Sequence, residues 1–187
     1  MLLIDLQTRV RIALTNTLVD EWSLFSPTAG SSSPSERTVA FHLGWNLRPL
    51  VESGWSIDCE YDRSGMALED VVAFDDARGN RIPDIVVHQR GKLGPEHNLL
   101  LAELSADYAT KGTTAGDFGH AQAIQKRFGY AYAALVDLHL GADPDGQPRP
   151  TWHWSTLEGG PVTREPMDVY APEVLADILS RGAARVG

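Results

Sequence analysis

The chain is poor in cysteine and lysine and has no long apolar run. Cys59 is the one cysteine in 187 residues. That excludes an internal disulfide and a thiolate zinc cluster, and it fits a reducing cytoplasm. No stretch of 18 apolar residues occurs, so no membrane partner is expected. The opening Met1-Leu-Leu-Ile4 is apolar, but Asp5, Arg9 and Arg11 interrupt it too early for a secretion signal. Lysine occurs at Lys92, Lys111 and Lys126 only, and the net charge is −9. Loose phosphate binding needs a surplus of cations on one face, so this balance opposes it. Basic patches are confined to Arg37 with Arg48, and Lys126 with Arg127. The six histidines show no paired metal spacing, and no glycine-rich phosphate loop or nucleophile elbow is present.

The length suits one domain spanning 1–187, large enough to bury about 70% of its unfolded surface. Leu3, Leu6, Val10, Leu14, Leu18 and Trp22 recur at steps of three and four, predicting an amphipathic helix over 3–22. Ser33-Pro34-Ser35-Glu36 reads as a capping box that opens a second helix, with Ser33 as cap, and Val39, Leu43, Leu47 and Leu50 turned inward. Pro49 should distort or end that helix. Trp55 to Arg63 alternates, with Trp55, Ile57, Cys59 and Tyr61 predicted on the buried face. Residues 64–80 form an acidic excursion. Strands are expected at 82–89, 98–105, 130–140 and 151–156, and helices at 117–128 and 172–185. This order predicts an α/β three-layer sandwich, with a central mixed sheet flanked by helices.

The chemistry concentrates in two strand-length apolar runs, Ile82 to His88 and Asn98 to Ser105. Each carries one internal acid, Asp84 and Glu103. A carboxylate among aliphatic side chains costs several kcal/mol unless it is compensated, and two of them side by side repel. A shared divalent ion, Mg²⁺ or Mn²⁺, would satisfy both, with the Leu104 carbonyl as a further oxygen donor. The alternative is that Asp84 caps a strand and Glu103 pairs with an arginine such as Arg81. His88 shares a face with Asp84. Gln125 on an apolar helix stripe suggests an interior polar partner or a bond to backbone.

Pro83-Asp84, an apolar strand, a turn and Glu103 in a second strand resemble the PD-(D/E)XK nuclease superfamily, with its restriction-endonuclease-like fold. Ser35-Glu36-Arg37 is similar to the family's helical acid, Asp58 to Arg63 to its preceding strand, and Gln122, Gln125, Lys126 and Phe128 to Tyr130 to its following helix and strand. The resemblance covers about 33–140, with the helices 3–22 and 172–185 packing on that core. It implies an Mg²⁺-dependent (or Mn²⁺-dependent) hydrolase that cuts nucleic acid, DNA ahead of RNA. Asp84, Glu103 and Glu36 would hold the metal. The family's lysine falls at Ser105, so Lys126 from the helix, or Lys111 from its Gly/Thr-rich loop, would have to supply the positive charge. The alternative is a weakened or inactive member that binds a partner protein, and a plain α/β domain with coincidental acids is a third reading.

Overall fold

Alternating apolar positions set the sheet, and helical stripes cover it on both faces. The computed structural model describes residues 1–26, 34–61, 82–106, 115–140, 147–163 and 165–185. Helices are α1 Leu3–Asp20, α2 Trp22–Phe25, α3 Glu36–Leu47, α4 Ala115–Phe128 and α5 Pro172–Ala183, with a 3₁₀ turn at Arg48–Leu50. Strands are β1 Ser56–Cys59, β2 Ile85–His88, β3 Asn98–Ser105, β4 Tyr132–Asp137, β5 Thr151–Thr156, β6 Gly160–Pro161 and β7 Met167–Asp168. They form one mixed seven-stranded sheet in the order β1-β2-β3-β4-β5-β6, with β7 also on β5. Among the described residues, only β3 and β4 pair in parallel. A parallel pair needs a crossover, and α4 is that crossover.

Ile85, Val87, Leu100, Ala102 and Leu104 point to one face, where α1, α3 and α5 deliver Leu6, Leu14, Val39, Leu43 and Ile178. Val86, Leu101 and Ala133 point to the other, under Ala121 and Ile124 of α4. The period-two alternation of each strand therefore feeds two cores. At the α1–α5 crossing a Cβ on Gly182 would lie 2.7 Å from the Trp22 ring, so only glycine allows that approach.

Several boundaries differ from expectation. The helix after the Ser-rich segment is capped by Ser35, whose oxygen accepts the Thr38 N–H at 3.1 Å. Glu36 is therefore the first helical residue, not the closing residue of a capping box, and Ser33 lies outside the described residues. The strand predicted through Arg63 ends at Cys59, because Glu60 takes a left-handed backbone (φ 50). The alternation holds through Cys59, an exposed residue whose thiol still faces α3 at 3.4 Å from the Ala40 carbonyl, and breaks beyond it, where Tyr61 packs beneath α4. The excursion at 64–80 also falls outside the described residues. β6 and β7 were not foreseen; at two residues each they carry no periodic signal.

The last segment is tied to α1 by Tyr170, whose hydroxyl donates to the Arg11 carbonyl at 3.1 Å and lies 3.1 Å from Thr15 Oγ1. Burial pushes the Tyr170 phenol up to about 12. A phenol raised from about 10 on folding contributes stability present below pH ~10 and lost as pH rises towards 12. Urea midpoints should therefore fall across that window by the equivalent of roughly 2–3 kcal/mol. Tyr170→Phe should lose this dependence; an alkaline limb identical to wild type would show that Tyr170 is not its source.

Candidate functional site

The register puts the acids in rows across the α4 face. Asp58, Val86, Leu101, Ala133 and Ser155 share one row. One step along, Glu103, Leu135 and His153 share the next, and Ser105, Asp137 and Thr151 the third. Extending the Ile85–Ala102 pair by one residue sets Asp84 against Glu103. Extending it by two sets Pro83 against Leu104. Proline has no N–H to give the Leu104 carbonyl, so the ladder stops there. The Leu104 N–H goes instead to Asp84 Oδ2, at 2.8 Å. On a strand, N–H and C=O of one residue point to the same neighbour, so the Leu104 carbonyl also faces the end of β2. Asp84 thus caps the end of β2 and stands beside Glu103. Glu103 is only 2% exposed.

Next to this strand end lies an open cleft of about 320 Å³, lined by Ser35, Glu36, Arg37, Glu60 and Asp84. Three elements meet there: the first turn of α3, the left-handed residue after β1, and the residue before β2. The Glu60 N–H donates to the Asp84 carbonyl at 3.1 Å, which draws the end of β1 against Asp84. Arg37 Nε donates to Glu60 at 2.6 Å and places a guanidinium on the rim. Glu36, Arg37 and Asp84 are therefore brought together. Glu60, which alternation had assigned to a solvent face, joins them only because of its backbone twist.

His88 belongs to a separate cluster, four residues along β2 from Asp84 and roughly 13 Å away at strand rise. Its ring is fully buried, with Nε2 2.8 Å from Asp58 Oδ2 and Tyr61 at 4.4 Å between ring centroids. Arg90 Nε donates to the same Asp58 oxygen at 2.8 Å, and its NH2 group bonds Oδ1. The Arg90 bond holds the Asp58 carboxyl below the usual range; partial burial opposes this, and the His88 bond adds to it.

The α4 residues do structural work. Gln125 is 1% exposed and donates to the Ser155 carbonyl at 3.2 Å and the Ala131 carbonyl at 3.3 Å. Gln122 donates to Ser155 Oγ at 3.3 Å. Lys126 is exposed in the last turn, just before Gly129 ends the helix with φ +68. That end sits at the start of β3, where Asn98 Nδ2 donates to the Phe128 carbonyl at 2.7 Å. Glu103 is five residues further along β3, roughly 16 Å away. Lys126 is therefore at the wrong end of the strand to reach the acids. Lys111 lies outside the described residues. Ser105 is half-buried at the end of β3, one row from Glu103 and beside Asp137.

Asp137 escaped the sequence reading, although it carries the signal used for Glu103, an acid within an apolar strand. It is 6% exposed and accepts the His139 N–H at 2.9 Å; His139 Nε2 lies 2.7 Å from Thr151 Oγ1. Among the described residues, no three His, Cys, Asp or Glu side chains are gathered closely enough to hold a metal ion. Nor is any helix among them long and apolar enough to cross a membrane. Comparison with known proteins finds no matching family, curated protein or solved structure.

Asp58 generates a pH prediction. Its folded carboxyl is more acidic than the unfolded value of about 3.9. The stability it contributes is full above that value and is lost as pH falls through the lower, folded one. Arg90→Gln should move the acid-unfolding midpoint to higher pH in a circular dichroism titration. An unmoved midpoint would mean the ion pair contributes nothing.

Proposed function

We propose that the protein is a metal-dependent nuclease-like enzyme of restriction-endonuclease-like fold that hydrolyses nucleic-acid phosphodiester bonds. The observation that carries this reading is the end of β2. There Pro83 interrupts the ladder, Asp84 caps Leu104 beside the buried Glu103, and a cleft opens toward Glu36. A mixed sheet with helices on both faces and a Pro-Asp strand opening supports the fold assignment.

Mg²⁺ does not need a cage of three side chains. It is held by one or two carboxylates together with substrate phosphate oxygens and water. Asp84 and Glu103 fit that requirement, with the Leu104 carbonyl facing the same strand end and Glu36 across the cleft. The bound ion would lower the pKa of a water and neutralise charge on the phosphate. The chain's own groups hold and orient. The Leu104 N–H orients the Asp84 carboxylate by donating to its Oδ2. Arg37 offers its remaining guanidinium donors to a phosphate at the rim.

A second reading, a weakened or inactive nuclease-fold protein that binds a partner protein, is favoured by one observation. Ser105 stands where the family's lysine would be, and Lys126 is at the other end of β3. Losing one such donor typically costs about 10²–10³ in rate.

Thermal-shift titration with Mn²⁺ tests the site. Wild type should gain about 2.7 kcal/mol at a metal concentration roughly 100 times Kd, and Asp84→Ala should gain nothing. Equal shifts in the two proteins, or none in wild type, would remove the metal site. In a plasmid-nicking assay with Mn²⁺, Ser105→Lys should raise the rate by about 10²-fold and Lys126→Ala should leave it unchanged. Nicking that persists in Asp84→Ala would assign the activity to a contaminant.

A further inference from the structure

We infer that the outer face of α3 is a stacking platform for a single nucleic-acid strand leading into the cleft. The inference rests on the nuclease reading above and names its substrate as single-stranded. Arg37, Phe41, Trp45 and Arg48 follow one another at helical spacing, and Arg48 keeps the αR backbone, so all four share a face. Phe41 is 55% and Trp45 69% exposed. Both stand outside the core, which takes Trp22 and Phe25 of the neighbouring α2. The two rings stack, with centroids 6.4 Å apart and planes at 25°. Phe41 is also held edge-on by His42, at 5.2 Å and 84°, and His42 Nδ1 is fixed 3.1 Å from Glu21. The platform is therefore pre-ordered rather than a pair of loose side chains.

Charge complementarity selects the occupant. The stripe has an arginine at each end and no acid within it. Of the acids around it, Glu60 pairs with Arg37 at 2.6 Å, Glu52 with Arg9 at 3.2 Å and Glu21 with His42 at 3.1 Å, while Glu36 precedes Arg37 at the cleft end. Arg37 is highly exposed and, among the described residues, donates through its Nε to Glu60, which leaves the rest of its planar fork for phosphate. The eleven steps from Arg37 to Arg48 span about 16 Å at helical rise, which accommodates a short run of nucleotides. Ring faces on a helix ridge, with cations at both ends, suit bases splayed from one strand. A duplex keeps its base faces covered and presents none to stack. With a net charge of −9, such affinity must be local to the stripe. The stripe begins at a residue that lines the cleft, so a strand lying on it is delivered to Asp84.

The test is binding of a fluorescein-labelled single-stranded oligonucleotide by the full chain in EDTA, where cleavage is off. Wild type should bind the strand more tightly than the matching duplex. Phe41→Ala and Trp45→Ala should each weaken binding by about ten-fold or more. Arg48→Ala should lower the salt slope by about 0.7. All three side chains are exposed, so their loss leaves the core intact. Aromatic variants that bind like wild type would overturn the inference, as would duplex preference or no oligonucleotide binding at all. A concentration-dependent dimer abolished by Trp45→Ala, with no strand binding, would overturn it in favour of a protein contact. In those cases the Mn²⁺ shift lost in Asp84→Ala would leave the nuclease reading standing. Stripe-dependent strand binding without any Mn²⁺ shift would do the reverse.

Discussion

Everything around the cleft depends on how the β2–β3 ladder stops. Pro83 cannot donate to the Leu104 carbonyl, and the next residue, Asp84, takes the Leu104 N–H with its side chain at 2.8 Å. The same residue accepts the Glu60 N–H on its carbonyl at 3.1 Å. Asp84 thus ties three strands together at one point and fixes its own carboxylate there. The left-handed turn at Glu60 then swings that side chain to Arg37, closing the other wall. Loss of the Asp84 carboxylate would leave a buried N–H on Leu104 and loosen the wall that carries Glu103, so chemistry and architecture share this side chain.

The single parallel pair is the second constraint. Joining β3 to β4 in parallel forces the chain across the sheet through α4, which runs back along β3. Glu103, Ser105 and Asp137 therefore gather at the ends of β3 and β4 where the crossover begins, and Lys126 and Phe128 arrive where β3 starts. Gln125 holds the helix in that register by bonding backbone carbonyls at Ala131 and Ser155. A positive group carried by the last turn of α4 serves the opposite end of the sheet from the acids.

Acidic excess shapes the remaining electrostatics. With 25 Asp and Glu against 16 Lys and Arg, arginines are taken up by neighbouring carboxylates: Arg9 by Glu52, Arg37 by Glu60, Arg90 by Asp58. These pairs straddle long sequence separations and sit near the surface, where each adds modest stability while fixing geometry. The Asp58 pair differs in backing a fully buried His88, so its carboxylate is held by two donors at once.

Periodicity alone determined the elements: the stripe of α1, the acid-bearing strands β2 and β3, the α4 helix and β5 follow from apolar spacing, because burial of alternate or every-third-and-fourth residues is a local property of the chain. The same local logic marked Asp84 and Glu103 as costly acids in apolar strands. Tertiary structure decided which of the marked residues meet. Glu60 and Arg37 joined Asp84 through a backbone twist at a non-glycine residue, which carries no compositional signal. Lys126 was sent to the far end of β3 by the direction of the crossover, and His88 was claimed by Asp58 through strand register. Spacing along one chain says which face a side chain takes; only pairing between strands says what stands beside it.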